Sequence, residues 1–365
     1  MNLVKEVCNV MEQFAPISYQ ESYDNCGLLI GDYNTQIKGV LICLDVTEEI
    51  IEEAIALNCN MVVAHHPLIF SGLKKITGNN YVERTVIKAI KNNIAVYAAH
   101  TNADNLINGV NSIIANKIGL INCTILSPKK NALKKLVTFC PTDKAPIIQN
   151  ALFKVGAGKI GNYDESSFTV QGEGTFKANN IAKPYVGKAN IRHSENETRI
   201  EVIFESYNEA NVIEALISSH PYEEVAYYIT ALENYNNYVW VGLIGYLEKE
   251  EDEIEILTRL KRTFNSKSIQ YSPLLNKKIK KIALCGGSGS FLVSAAIKKG
   301  ADILITSDIK YHSFFDAENK IILADIGHYE SEQYTMELFY KLISKNFSTF
   351  AVHLTKINTN PINYI

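Results

Sequence analysis

The sequence predicts an α/β protein whose core has two similar lobes and is interrupted by an inserted α+β domain. Two observations carry this prediction. Apolar strands alternate with amphipathic helices near both ends of the chain, at 37–100 and at 280–326. Between them the order becomes strand, helix, alternating strands, helix and strand, which is typical of a ferredoxin-like sandwich. We therefore predict a discontinuous core of residues 1–129 and 243–365, with an inserted domain of residues 130–242.

The first lobe is predicted from repeated strand–helix–strand segments. The runs "KGVLICLDV" (38–46) and "CNMVVAHHP" (59–67) are apolar, and "TEEIIEEAIALN" between them has helical spacing, with Thr47 as its expected N-cap. A helix at 82–92 and the strand "NIAVYAAH" (93–100) repeat the arrangement. Such units connect parallel strands, and functional groups gather at the carboxyl ends of parallel strands.

The second lobe echoes the first. The segment 280–312 contains a strand, the glycine-rich turn "CGGSGS", a helix and the strand "ADILITS". Aligning the two halves places Ser307 and Asp308 near the positions of His65 and His66. We expect two similar lobes that face one site.

Composition excludes several classes of protein. The chain has 365 residues, 47% of them hydrophobic, and a formal net charge of −3, which does not favour nucleic-acid binding through bulk charge. A basic stripe, Lys277, Lys278, Lys280 and Lys281, keeps a local nucleic-acid surface open. The sequence has no long apolar run typical of a membrane span, and its seven scattered cysteines include no CxxC pair. These features predict a cytoplasmic protein with reduced thiols and no membrane partner.

Two adjacent histidines, His65 and His66, follow the second strand of the first lobe and precede Pro67. Successive side chains of a strand point to opposite faces, so the pair is better suited to two neighbouring ions than to one. Pro67 holds the tip extended. The alternative is a pair of surface loop residues.

Two further clusters follow other strands. His100 and Asp104 come after the strand at 93–100 and are four residues apart. His328 and Glu332 have the same spacing, which places both on one face of the helix that they open. The structural alternatives are that Asp104 is an N-cap or turn residue, that His328 caps its helix and that the acids complement the helix dipole.

Together the clusters predict a dinuclear metal site. The five ligands are His65, His66, Asp104, His328 and Glu332. They are too many for one catalytic zinc with an open position, and they fit two divalent ions with a bridging carboxylate such as Glu332. A mixed imidazole and carboxylate set suits zinc, iron or manganese. We expect His100 or Asp308 to transfer protons at this site.

Three weaker features have two readings each. Asp24 and Asn25 in "ESYDNCGLLIGD" (21–32) belong to the site or form an Asx turn. The "CGGSGS" turn (285–290) cradles a phosphate or simply joins strand to helix, since it lacks the lysine of a P-loop. Asp308, Lys310 and His312 line a pocket or a solvated loop.

These motifs, in this order, resemble the Nif3-like family of dinuclear metal proteins, whose members carry the name GTP cyclohydrolase 1 type 2 homolog. The matching stretches run over nearly the whole chain: "YDNCGLLIGD", "LDVTEEIIEEA", "VVAHHPLIF", "AAHTNADN", "CGGSGS", "GADILITSDIKYH", "DIGHYESE" and "TNP". The inserted domain, with "SSHPYEEVAYYI" (218–229), resembles the PII/CutA-like insert of the longer bacterial members. The resemblance implies a toroidal homohexamer and the same five metal ligands, with His100 near the metals.

Two functions follow from these expectations. The first is a metal-dependent hydrolase that acts on a nucleotide or another phosphorylated small molecule. The second is a non-catalytic metal-binding or regulatory ring, in which the insert serves as a sensor or an oligomerisation domain. No stretch of the sequence identifies a guanine-binding site.

Overall fold

The computed structural model describes residues 2–130 and 132–365, with the backbone alone at residue 237. Internal contacts divide the chain into two compact units, Met1–Pro128 with Asn237–Ile365, and Lys129–Asn236. Among the described residues, no helix combines the length and the apolar character needed to cross a bilayer. The larger unit holds two sheets, each the centre of one lobe.

The first lobe is built on five strands: β1 (Gly27–Ile30), β2 (Gly39–Cys43), β3 (Met61–Ala64), β4 (Ala95–Ala98) and β15 (Ala351–Leu354). Their order in the sheet is β1–β4–β3–β2–β15. All neighbours are parallel except β1, which pairs antiparallel with β4. The helices in this part of the chain are α1 (Val4–Phe14), α2 (Glu48–Ala56), α3 (Tyr81–Lys91), α4 (Thr101–Asp104) and α5 (Val110–Ile118).

Both faces of this sheet are buried, which explains why its strands are almost continuously apolar. Along β2, Val40 and Ile42 pack in the same core as α1, whereas Leu41 and Cys43 pack in the core formed with α2 and α3. Thr47 caps α2 as predicted, because its side chain accepts a hydrogen bond from the backbone N–H of Ile50.

The second lobe contains six strands: β5 (Ile121–Lys129), β10 (Asn236–Glu251), β11 (Gln270–Tyr271), β12 (Ile279–Ser288), β13 (Ile303–Ser307) and β14 (Ile322–Asp325). Their order is β11–β14–β13–β12–β10–β5. As in the first lobe, three central strands, here β12, β13 and β14, are parallel, and the edge strand β11 is antiparallel. The helices of this part of the chain are α8 (Glu253–Thr263), α9 (Val293–Lys298), α10 (His328–Glu332) and α11 (Thr335–Asn346).

The two lobes exchange helices across their border. The α5 helix, which comes after β4 of the first sheet in the chain, contributes Ile114 and Ile118 to the core of the second sheet. The α11 helix, which follows the second sheet, contributes Phe339 and Ile343 to the core of the first. This exchange brings the loops that follow β4 and β14 to one border.

Strand register confirms the similarity of the lobes. Met61 of β3 pairs with Val40 of β2, and Ile303 of β13 pairs with Ile282 of β12. Counting four and five residues onward from Met61 and Ile303 reaches His65 and His66 in one lobe, and Ser307 and Asp308 in the other. The equivalence predicted from the sequence therefore holds in the sheets.

The smaller unit is the predicted ferredoxin-like domain. Its elements are β6 (Leu133–Pro141), α6 (Ala145–Lys154), β7 (Ser167–Lys177), β8 (Arg192–Glu205), α7 (Glu209–Ser219) and β9 (Tyr227–Leu232). The sheet order is β7–β8–β6–β9 with antiparallel neighbours, and one face of the sheet packs on the two helices. The predicted borders, 129/130 and 242/243, stay a prediction; the contacts divide at 128/129 and 236/237.

Candidate metal centre

Strand ends of both lobes supply the candidate metal centre. His65 and His66 follow β3, and α4, which begins after His100 and ends at Asp104, follows β4. From the other lobe, α10 follows β14 and runs from His328 to Glu332. The structure thus brings all five predicted ligands and His100 into one place. In three overlapping groups, possible ligand atoms lie within 4.8 Å of one another, close enough to share a metal ion: His65, Asp104 and Glu332; His66, His328 and Glu332; and His65, His66 and His100.

Glu332 lies at the middle of the cluster, and its side chain is only 3% exposed. Its Oε1 is 3.7 Å from His65 Nε2, whereas its Oε2 is 2.9 Å from His66 Nε2 and 3.0 Å from His328 Nε2. One carboxylate therefore faces two sets of donors, one through each oxygen. The geometry suits a bridging ligand.

Two buried atoms of the proposed ligands have no hydrogen-bond partner among the described residues: His65 Nε2 and Asp104 Oδ1. They are 3.7 Å apart, too far for a hydrogen bond. Two ligands held about 2.1 Å from a tetrahedral ion lie about 3.4 Å apart, so the gap has the size that one ion requires. Because an unpaired buried polar atom costs free energy, the pair is explained best by a ligand between them.

All four imidazoles use the Nδ1 nitrogen for an oxygen acceptor outside the cluster. His65 Nδ1 donates to the carbonyl oxygen of Ala99 at 2.8 Å. The other three donate to carboxylates: His66 to Asp45 at 2.7 Å, His100 to Asp24 at 2.9 Å and His328 to Asp308 at 2.6 Å. In the neutral tautomer this leaves each Nε2 lone pair free for a metal, with a partner that orients the ring.

Electrostatics separate the histidines into two kinds. Burial lowers the pKa of His65, so its imidazole stays neutral, which is the form that binds metals. Burial also opposes the charged form of His66, but Glu332 and Asp45 outweigh it and raise the pKa of His66 to about 10. For His328, Asp308 and Glu332 outweigh burial and raise the pKa to about 11.

The two carboxyl groups are shifted in opposite directions. Burial and the nearby Glu332 raise the pKa of Asp104 well above its ordinary value. Burial acts on Glu332 in the same sense, but the facing imidazoles of His66 and His328 outweigh it and hold the pKa of Glu332 well below its ordinary value. Without an ion, protonated histidines therefore provide the positive charge that Glu332 requires.

The glycine-rich turn supports Glu332 and is not shaped as a phosphate cradle. A Cβ at Gly287 would lie 2.2 Å from Glu332 Oε1, and Gly287 has a φ of +62°, so only glycine fits there without a shift. The backbone N–H of Gly286 donates to Asn111 Oδ1 and that of Gly287 to Ser331 Oγ. Those two N–H groups are therefore not free for a phosphate.

A cleft of about 520 Å³ opens beside the cluster. It exposes His66, His100 and His328, and its remaining lining residues are Leu44, Asp45, Pro67, Phe70, Tyr329, Asn360, Pro361 and Ile362. No lysine or arginine is among the residues that line it. The three imidazoles are joined by two other polar side chains, Asp45 and Asn360, and most of the remaining wall is apolar or aromatic.

Asp24 belongs to the site and does not form the alternative Asx turn. Its carboxylate holds His100 Nδ1 and accepts the backbone N–H of the adjacent Asn25 at 2.8 Å, whereas the backbone N–H of Cys26, two residues on, donates to Gln20 Oε1. Thr101 adds a backbone N–H donor at 3.0 Å and a hydroxyl contact. The side chain of Asp24 is fully buried, and these partners outweigh burial and lower the pKa of its carboxyl group.

Sequence reasoning missed Asp45, whose carboxylate accepts the His66 Nδ1 proton and the hydroxyl proton of Thr359. The available signal was its position just after β2, the third parallel strand end of that lobe. Asp308 lies at the rim, is not among the cleft-lining residues, and accepts the His328 Nδ1 proton. Lys310 and His312 lie in an exposed segment, as the solvated-loop alternative predicted.

Two lysines of the basic stripe are paired with carboxylates, and the other two are hydrogen-bonded to the backbone. Lys277 Nζ donates to Asp302 at 2.7 Å and Lys278 Nζ donates to Asp252 at 2.6 Å. The other two ammonium groups donate to backbone carbonyl oxygens, that of Lys280 to Glu248 and that of Lys281 to Lys299. These contacts weaken the argument for a nucleic-acid surface here.

Comparison with known proteins agrees with the motifs. The family model Duf34/NIF3 (NGG1p interacting factor 3) matches residues 2–361. The chain is 35% identical over 364 residues to a protein of Halalkalibacterium halodurans named GTP cyclohydrolase 1 type 2 homolog, covering 98% of both chains. It is also 35% identical over 366 residues to the Bacillus subtilis protein of that name, covering 99% of this chain and 98% of the other. The solved structure of a Bacillus cereus protein related to NIF3 matches with a TM-score of 0.86 at 34% identity, covering 100% of this chain and 99% of that one. The resemblance is confirmed: the chain belongs to the Duf34/NIF3 family.

Proposed function

We propose that the protein binds two divalent metal ions and uses them to hydrolyse a nucleotide or another phosphorylated small molecule. The observation that carries the metal proposal is the pair of unpartnered buried atoms, His65 Nε2 and Asp104 Oδ1, which face Glu332 Oε1. Burying His65, Asp104 and Glu332 without a group between them costs folding free energy, because their facing polar atoms lose water, and His65 Nε2 and Asp104 Oδ1 gain no partner. A bound ion would remove that cost.

The donors divide into two sets that share one carboxylate. His65, Asp104 and Glu332 Oε1 would hold one ion, and His66, His328 and Glu332 Oε2 would hold the other. The mixed nitrogen and oxygen donors favour zinc, iron or manganese. Cys285 is buried nearby, but burial raises the pKa of its thiol, so we expect no thiolate ligand.

The hydrolytic part of the proposal rests on the cleft. When bound, paired divalent ions lower the pKa of a water molecule and polarise the oxygen of the bond that breaks. His100 borders the cleft, and Asp24 fixes its Nδ1 proton, so its Nε2 is positioned to accept or return a proton. Asp308 holds His328; the prediction that it also transfers protons stays a prediction.

The lining of the cleft favours a substrate with an apolar or aromatic part. Phe70, Tyr329, Pro361 and Ile362 can contact a flat ring, whereas the lining offers no lysine or arginine for a phosphate. Phosphate recognition would therefore depend on the ions and the imidazoles. A nucleotide combines a ring with a phosphate, and the name GTP cyclohydrolase 1 type 2 homolog of the relatives makes GTP the first compound to assay.

The first experiment measures metal per chain in the purified protein and in Glu332→Gln. We expect two equivalents in the wild type and at most one in the variant, because glutamine removes the shared charge. Glu337→Gln is the matched control, since Glu337 is half-exposed on α11 and pairs with Lys117 on the surface. Less than one equivalent in the wild type, or an unchanged content in Glu332→Gln, would refute the dinuclear centre.

The second experiment assays GTP, other nucleotides and phosphomonoesters with the metal-loaded and the chelator-treated protein. We expect turnover that requires metal and that falls in His100→Ala while metal content is retained. Two metals without metal-dependent turnover on this panel would refute the hydrolase proposal and support the regulatory ring.

The hexamer and the cytoplasmic location also stay predictions. Light scattering measures the number of subunits in solution.

A further inference from the structure

A groove in the 129–236 unit has no role in the metal centre. Two adjoining cavities of about 390 and 400 Å³ share four lining residues, Thr175, Glu197, Tyr222 and Ala226. We call the two together the insert groove. Its lining includes Tyr222, Glu223 and Glu224 from the "SSHPYEEVAYYI" stretch, which the proposed function leaves unexplained.

The insert groove lies on the sheet face that the helices do not cover. Phe139, Arg199 and Val170 pair across β6, β8 and β7, so their side chains share a face. The neighbouring residues Leu136 and Ile200 point the other way and pack on α6 and α7. A solvated face normally carries polar side chains, yet this one presents aromatic rings.

Three aromatic rings, one from β7 and two from loops, stand close together around one of the cavities. The ring centroid of Tyr222 is 6.5 Å from that of Phe176 and 6.1 Å from that of Tyr185, with the planes tilted by 55° and 49°. All three rings line this cavity. Exposed aromatic faces at this spacing attract a cation, because the ring quadrupole is negative at its face.

A carboxylate is fixed among these rings. Tyr222 donates its hydroxyl proton to Glu197 Oε1 at 2.8 Å. Glu197 Oε2 lies over β7, and a Cβ at Gly174 would be only 2.0 Å from it. The carboxylate can therefore occupy this position because residue 174 has no side chain. At Gly172, in contrast, a Cβ would meet nothing within 4 Å. That glycine leaves the floor of the groove open, and a strand glycine commonly marks close approach by a ligand.

The charge balance of the insert groove is negative. Its carboxylates are Glu173, Glu197, Glu223 and Glu224, and its cationic side chains are Lys177 and Arg199. Arg199 is already paired with Glu201 on the same strand. An anionic ligand would therefore meet repulsion, and a cation would meet both aromatic faces and a counter-charge.

We propose that the insert groove binds a small organic cation, with its ammonium group against the rings of Phe176, Tyr185 and Tyr222 and with Glu197 as counter-ion. Aromatic rings around a cation are a recognised mode of binding for alkylated ammonium groups, and the half-buried carboxylate of Glu197 adds a counter-charge. The proposal concerns the 129–236 unit alone and is independent of the metal centre.

The test compares choline with 3,3-dimethylbutan-1-ol, which has the same shape without the charge, by titration calorimetry on the full-length protein. We expect choline to bind at least about tenfold more tightly, which is the range that a desolvated cation–π contact provides. Equal affinity for the two probes, or tighter binding of inorganic phosphate than of choline, would overturn the proposal.

Variants assign the binding to the groove. Tyr222→Ala and Glu197→Gln should each weaken choline binding about tenfold or more, whereas Tyr222→Phe, which keeps the ring, should lose less. The matched controls are Tyr163→Ala and Glu214→Gln, exposed residues of the same unit that do not line the groove. If Tyr222→Ala does not fold, Glu197→Gln decides, and unchanged affinity in Glu197→Gln refutes the site.

Discussion

Replacing Gly287 by alanine should weaken metal binding at the centre although no proposed ligand is substituted. The new Cβ would start 2.2 Å from Glu332 Oε1, whereas an ordinary contact is at least about 3.4 Å. The carboxylate must therefore retreat by about 1 Å, away from the position where it faces His65 Nε2. We expect metal affinity to fall about 10- to 100-fold, the range seen when the support of a ligand is disturbed.

Backbone strain is separated from this effect by a control. Gly287 and Gly300 lie in the same lobe with φ of +62° and +69°, but a Cβ at Gly300 would meet nothing within 4 Å. Both substitutions should cost about 1–2 kcal/mol of unfolding free energy from the left-handed backbone. Urea titration in the presence of a chelator measures that shared cost.

The clash of the new Cβ with Glu332 adds to the cost of Gly287→Ala even without metal, whereas the loss of metal affinity is seen only as a smaller stabilisation when metal is added. A 10- to 100-fold weaker site loses about 1.4–2.7 kcal/mol of the stabilisation that saturating metal gives, so Gly287→Ala should gain that much less than Gly300→Ala. Competition with a metal indicator measures the affinities directly. Equal affinities in the two variants would refute the steric argument, and with it the placement of Glu332 between the two donor sets.

Three further outcomes follow from the same geometry. Metal binding at pH 7.5 should release protons, because the pKa values of about 10 and 11 leave His66 and His328 protonated without an ion. Metal affinity should therefore fall as pH falls. Calorimetry in buffers of different ionisation enthalpy measures the protons released, and a release of none would contradict this prediction. Asp45→Asn should weaken metal binding about 10- to 100-fold, because it removes the anionic partner of His66. Asp32→Asn, at an exposed position, is the control. Equal metal affinities in the two variants would show that Asp45 does not orient His66. Phe339→Ala should lower the free energy of unfolding by about 3–5 kcal/mol, because the fully buried ring packs in the first-lobe core. Chemical denaturation measures this change, and a loss below about 1 kcal/mol would contradict that packing.

Much of the fold and of the candidate site was predictable because both depend on local patterns. Parallel strands buried on two faces are apolar throughout, so the polar residues that follow them, such as His65 and His100, stand out in the sequence. The i and i+4 spacing of His328 and Glu332 similarly marks one helix face.

Other features depend on long-range packing and left weaker signals. Asp45 is a single acid after a strand, and nothing local shows that His66 lies 2.7 Å away. Gly287 is one of several glycines in its turn, and its requirement comes from Glu332, which is 45 residues further along the chain. The periodicity of α5 and α11 likewise shows that each has an apolar face, but not that each packs on the sheet of the other lobe. Residue spacing alone therefore identifies the candidate ligands. The residues that orient those ligands or make room for them are recognised only in the folded core.

The internal repeat explains why the centre belongs to neither lobe. At equivalent strand ends, the first lobe has the histidines and the second has Ser307 and Asp308, so the second lobe supplies its ligands from α10 instead. Each proposed ion thus takes donors from both lobes, with Glu332 common to the two. Metal binding should then stabilise the border between the lobes, because the free energy of binding is available only while the border is formed. The metal-free protein should accordingly lose protection from amide exchange first in α4 and α10, where the ligands from the two lobes meet.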